Sequence, residues 1–182
     1  MFGNHPKTVL ILFFIQVMKS SNFLLEINNF TCHKYTPRIT YVECEYFKFA
    51  TNHYGLSGRI KFDSNLDRSF KTHVTVNVMP KNSRQNMHIV DLTFNVCVFL
   101  KQMLSNQFLR QYALEFKRIS NIPSSCPFKK DVVYEAKNFT LTTESIPSYL
   151  PYMNFEFKME FYDKNHIIGM FQVYGGTDGE KK

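Results

Sequence analysis

Two periods of apolar and polar positions run along this chain. The more regular is a period of two: Phe155, Phe157, Met159 and Phe161 alternate with Asn154, Glu156, Lys158 and Glu160, which puts four apolar side chains on one face of a half-buried strand. Asp163-Lys164-Asn165 then reverses the chain into Ile167 to Tyr174, predicting a hairpin. A similar alternation, with β-branched and aromatic enrichment, marks Ile39 to Phe49, Arg59 to Phe62, Phe70 to Met79 and Asp131 to Thr143 as strands. Tyr54 to Gly58 reads as a glycine-bearing turn, and Pro80 with Lys81-Asn82-Ser83 as a strand end. Met87 to Val98 is predicted as a strand with Phe94, Val96 and Val98 on one face and a bulge near its start. The period then becomes helical. Leu100, Leu104, Phe108, Tyr112 and Phe116 recur every fourth residue, with Gln102, Asn106, Arg110 and Lys117 opposite. The pattern therefore predicts a mainly β protein, an antiparallel two-sheet sandwich or cup with one amphipathic α-helix.

The first residues stand apart from this pattern. Lys7, the apolar run Val9 to Ile15 and Lys19-Ser20-Ser21 have the layout of a secretory signal peptide. The run falls short of the ~20 apolar residues that a membrane-spanning helix needs, so no transmembrane anchor is expected. The expected organisation is a signal peptide over residues 1–21, one β-cup domain over 22–174 and a flexible tail over 175–182. Four cysteines follow the signal, and an even count in a secreted chain predicts two disulfides, with three connectivities open. Cys32 bonded to Cys44 would close a short loop and leave Cys97 for Cys126, a pair that would bracket the helix. Asn29-Phe30-Thr31 and Asn138-Phe139-Thr140 are acceptor sequences for N-linked glycan at Asn29 and Asn138. All three features point to a secreted, extracellular protein.

Charge changes this picture little. The chain has 22 basic and 15 acidic side chains; without Lys7 and Lys19 the balance is 20 − 15 = +5, spread along the sequence. That is a solubilising surface, and with secretion it argues against nucleic acid as a partner. Composition is more pointed: 19 Phe, 10 Tyr, 8 Met and no Trp describe a soft aromatic interior, able to fill irregular space or to yield around a flexible apolar guest.

One set of spacings is specific. Cys32, eleven residues, Cys44; Val96-Cys97-Val98-Phe99-Leu100-Lys101; Ser120-Asn121-Ile122-Pro123-Ser124-Ser125-Cys126-Pro127; and Ile146-Pro147 with Leu150-Pro151 before an alternating strand together resemble a large insect family of small secreted proteins of unknown function related to the chemosensory protein B group. More distantly the chain is similar to the ganglioside-activator-like, ML-type lipid-recognition β-cup domains. It departs from the pattern at Thr51 to Tyr54 and at Tyr152-Met153-Asn154. The resemblance implies a cup whose sheets splay at one end to admit a lipid or other hydrophobic small molecule, in a chemosensory setting. The lining expected from it is Phe155, Phe157, Met159 and Phe161, with Phe94 and Val96 opposite and Phe108 and Tyr112 of the helix at the mouth.

The alternative is an interaction module with a filled core and no ligand, which binds a receptor or another secreted protein through its surface. An enzyme is not expected. The histidines are scattered, none forms a zinc-binding pair, and there is no nucleophile elbow, phosphate-cradling glycine loop or Cys-x-x-Cys. His33 beside Cys32 could suggest a thiol nucleophile, but a disulfide would consume that thiol. No catalytic residue, metal site or cofactor is therefore assigned.

Overall fold

The computed structural model describes residues 23–83, 85–105, 110–146 and 152–179. The expected signal peptide, Phe108 and the proline corner at 147–151 lie outside them. The described residues include eight strands: β1 (Phe23–Lys34), β2 (Ile39–Ala50), β3 (His53–Phe62), β4 (Lys71–Pro80), β5 (Met87–Asn95), β6 (Val133–Thr142), β7 (Met153–Asp163) and β8 (His166–Gly179). Two helical segments, α1 (Val96–Ser105) and α2 (Arg110–Ile119), lie between β5 and β6. The strands form two antiparallel sheets, one of five strands in the order β1-β8-β7-β4-β5 and one of three in the order β2-β3-β6. This is the two-sheet sandwich that the alternation predicts. Among the described residues, no helix is long and apolar enough to cross a membrane.

Local chemistry explains the element ends. Lys164 and Asn165 both take left-handed backbone angles (φ 48° and 67°), the two-residue turn whose twist suits a β-hairpin. Asn52 (φ 61°) makes the β2–β3 turn, accepting from Leu25 N through Oδ1 at 2.7 Å and donating from Nδ2 to Phe23 O at 3.2 Å. The turn thus precedes Tyr54 to Gly58, which lies inside β3 rather than forming a turn as expected. Its glycines serve packing: a Cβ on Gly58 would meet the Phe171 ring at 3.2 Å.

Two further expectations need correction. The strand predicted to reach Val98 stops at Asn95, because the Asn95 side chain accepts from Val98 N at 3.0 Å and caps α1. Val96 and Val98 are therefore helical, and their alternation with Asn95 and Cys97 is a coincidence of spacing. The predicted helix is described over Val96–Ser105 and Arg110–Ile119, and residues 106–109 lie outside the described residues. The tail predicted from residue 175 is still strand as far as Gly179, paired on both sides: Gly175 opposes Ile27 and Phe155, and Gly176 opposes Glu26 and Asn154. Glycine permits that approach, since a Cβ on Gly175 would lie 2.6 Å from Glu26 O. The expected bulge is found, with Ile89 standing extra between Val90↔Val76 and His88↔Asn77.

Apolar faces of the two sheets meet in two clusters. The larger centres on Ile39, Ile60, Phe62, Leu66, Phe70, Phe128, Tyr134, Phe161 and Ile168; the smaller on Leu25, Ile27, Tyr54 and Val173. Two disulfides join the parts. Cys32–Cys44 ties β1 of one sheet to β2 of the other, and Cys97–Cys126 ties the first turn of α1 to the loop before β6. Beside the larger cluster the buried Asp163 carboxylate accepts from Arg38 Nε at 2.9 Å and from Ser69 Oγ at 2.5 Å. Burial alone would raise its pKa, but these bonds outweigh burial and hold it below the usual carboxylate range.

Candidate functional site

Residues opposed in an antiparallel ladder share a face, so each row across the large sheet can be followed from core to edge. One row runs Phe171, Met159, Val74, Leu92 from β8 to β5. Phe171 and Met159 pack on the larger cluster, Val74 is half-buried, and Leu92, on the same inward face, is 59% exposed. The next row, Val173, Phe157, Val76, Val90, goes from a buried valine to half-buried positions at the edge. In the small sheet Leu56 packs inward on the second cluster, and its partner Phe139 on the edge strand β6 is 47% exposed. Apolar side chains on the inward faces of both outermost strands on this side, β5 and β6, thus stand open to solvent.

The helices span this side. α1 touches β5 and α2 touches β6, and the two touch each other. Phe99 of α1 packs against Phe94 of β5 with ring centroids 4.7 Å apart and planes tilted by 39°, while Cys97–Cys126 holds the start of α1. Opposite the large-sheet rows, the middle of the small sheet carries the small residues Gly58 and Ala136 in register, which leaves the Phe171 ring room against the sheet.

The expected lining residues fall into three groups. Phe155, Phe157, Met159 and Phe161 do share the inward face of β7; Phe161, 7% exposed, is enclosed by the larger cluster, with its ring 4.9 Å from that of Phe171. Val96 and Met159 pack on the same cluster, Phe155 and Phe157 on the smaller one. Phe94 lies at the edge against Phe99, Tyr112 belongs to α2, and Phe108 lies outside the described residues. Sequence reasoning missed Leu92 and Phe139. Alternation marks both, but only sheet order shows that they sit on free edges.

The outward faces carry networks of charged and polar side chains. On the large sheet Glu156 accepts from Asn77 Nδ2 at 2.9 Å and Gln172 Nε2 at 2.6 Å, with Lys158 Nζ at 3.0 Å. Burial would push this carboxyl up, yet bonds from Asn77, Lys158, Tyr174 and Gln172 bring it down to about 2. On the small sheet Arg59 bridges Glu43 (2.6 Å) and Glu135 (3.3 Å), and a shallow groove beside it is lined by Tyr41, Lys61 and Val133. The arginine is engaged by both glutamates, so the groove offers no unpaired cation. Among the described residues, no group of three or more His, Cys, Asp or Glu could hold a metal ion, and every cysteine lies in one of the two disulfides.

His73 clamps the β5 edge. Its Nε2 lies 2.9 Å from Asp91 on β5 and its Nδ1 3.1 Å from Glu160 on β7, which also accepts from Tyr162. The Asp91 bond, with that of Glu160, raises the imidazole above 6.5 despite partial burial. A raised folded-state value stabilises most below the unfolded pKa, and the gain is lost as pH rises through the folded value. The His73→Gln variant should therefore be less stable than the parent by on the order of 0.5–1 kcal/mol near pH 6. The difference should vanish in mildly alkaline buffer. Urea midpoints at both pH values check this, and a difference that grows with pH would contradict the clamp.

A protein family described as of unknown function (DUF1091) matches residues 72–157. The matched stretch, just under half of the chain, runs from the start of β4 into β7 and includes both edges of the open side. No curated protein matches the chain.

Proposed function

We propose that this is a secreted extracellular binding protein that takes a lipid or other small hydrophobic ligand between its sheets, entering between β5 and β6. The observation that carries the reading is the exposure of inward-facing Leu92 and Phe139 on the two edges of that side. The two disulfides support an oxidising compartment. Likeness to ML-type β-cups fits the same architecture, and the chemosensory setting rests on resemblance alone. Recognition would be mainly by area: each buried methylene contributes about 0.8 kcal/mol, so an acyl chain needs few polar contacts. Half-buried Phe157, Met159, Val74 and Val76 form the yielding wall behind the edges.

Native mass spectrometry of the secreted protein, before and after solvent extraction, tests the reading. The expected result is an added mass that extraction releases as a lipid or hydrocarbon, and uptake of a fluorescent fatty-acyl probe by the stripped protein. Leu92→Glu and Phe139→Glu, both at exposed positions, should keep the fold and weaken probe uptake at least tenfold, a loss of ~1.4 kcal/mol. A bare mass with no probe uptake would overturn the carrier reading in favour of the surface interaction module.

A further inference from the structure

The outer face of the small sheet carries an aromatic surface that the ligand site does not use. Phe47 is 48% and Phe49 54% exposed, at the end of β2. Phe47 opposes Gly55 of β3, and Gly55 opposes Thr140 of β6, so all three lie in one row. Gly55 has no side chain, and the space above it is shared. A Cβ there would lie 2.5 Å from Cε2 of Phe49 and 3.4 Å from Oδ1 of Asn138. The Phe49 ring and the Asn138 carboxamide are therefore neighbours over a glycine.

Asn138 and Thr140 are the two acting positions of an acceptor sequence for N-linked glycan, and strand alternation turns both outward while Phe139 between them faces in. Both are exposed. Asn138 sits in a bulge of β6 opposite Ser57, with left-handed backbone (φ 51°), a conformation asparagine tolerates. Ser57 Oγ accepts from Asn138 N at 3.0 Å and lies 3.5 Å from Asn138 Oδ1. The oxygen branch of the carboxamide thus lies toward Ser57 and Gly55.

We propose that Asn138 carries an N-linked glycan whose first N-acetylglucosamine packs over the Phe49 ring. This rests on the extracellular reading above. The donor is a lipid-linked pyrophosphoryl oligosaccharide: Nδ2 loses one proton and bonds to the anomeric carbon as the carbon–oxygen bond to pyrophosphate breaks, and the lipid pyrophosphate leaves with the electron pair. The apolar face of the sugar directs its C–H groups at the electron-rich face of the ring. The glycan thereby covers apolar surface that would otherwise lie open on an edge strand.

The full chain secreted from eukaryotic cells provides the test. Enzymatic glycan release in heavy-oxygen water should convert residue 138 to labelled aspartate, and Thr140→Ala should abolish the label. Release should lower Tm by about 2–4 °C in the parent, and by no more than half as much in Phe49→Leu, which keeps an apolar side chain without the ring. A secreted, disulfide-bonded protein with no label at 138 overturns this proposal alone. Equal Tm shifts in parent and variant overturn the packing of sugar on ring. Free thiols, with no label at 29 or 138, overturn the extracellular reading beneath it.

Discussion

Phe62→Ala is expected to destabilise the protein by about 3–5 kcal/mol. The side chain is 1% exposed and reaches the centre of the larger cluster from β3. Its ring lies 5.8 Å from Phe70, 6.3 Å from Phe128 and 6.2 Å from Tyr134. Those neighbours come from three parts of the chain: Phe70 before β4, Phe128 between Cys126 and β6, and Tyr134 on β6. Truncation therefore loses the transfer free energy of the ring and leaves a cavity that three rigid rings cannot readily collapse to fill. Many domains have a total stability of only about 5–15 kcal/mol, so the variant should unfold at a much lower urea concentration. The midpoint shift measures this, and a loss below about 1 kcal/mol would mean that the rings do not enclose Phe62 as described.

Replacing Cys97 and Cys126 together by alanine is expected to cost about 3–4 kcal/mol, the loop-closure value for a separation of 29 residues. The bond matters more locally than that figure conveys. It joins α1, which leaves the edge of the large sheet, to the loop that leads into the edge of the small one, and it sits at the open side. Hydrogen exchange should therefore quicken in Val96–Ser105 and Arg110–Ile119 before it quickens in β7 or β8. Removing Cys32–Cys44, which closes a separation of only 12, should cost somewhat less, about 3 kcal/mol. Protection unchanged in both helices would show that they are held by packing alone.

Much of the fold was legible from residue order, because strand alternation depends on the single fact that one face of each sheet is buried. Phe155, Phe157, Met159 and Phe161 share the inward face as their spacing requires, and each disulfide joins cysteines that are consecutive in the sequence. What the spacing could not show was where hydrogen bonds redirect the chain. Asn95 looks like an outward strand residue until its side chain caps a helix. Gly55 and Gly58 look like turn residues until the rings of Phe49 and Phe171 occupy the space above them. Gly175 to Gly179 look like a loose tail because glycine has low strand propensity, yet β1 pairs along all of it, and β7 pairs Gly175 and Gly176, where it leaves little room for side chains. The open side was the least legible. Leu92 and Phe139 alternate like any core residue, and their exposure follows from which strands lie outermost, a property of long-range pairing.

The pairing of β1 with β8 also governs the order in which the protein can assemble during its synthesis. Phe23 to Lys34 emerges from the ribosome before the other described strands, but its ladder partners are Gly169 to Gly179 in β8, the last of the eight in chain order. β4 can pair with β5 early but waits for β7 on its other side. The β2–β3 hairpin, the Cys32–Cys44 bond and the Asn52 contacts to β1 draw wholly on early sequence. The large sheet is thus completed only once β8 has been made, and slow folding follows from contacts so distant along the chain. A chain that stops before His166 loses more than one strand. It leaves β1 without its partner and exposes a long flank of β7, two unpaired edges open to aggregation.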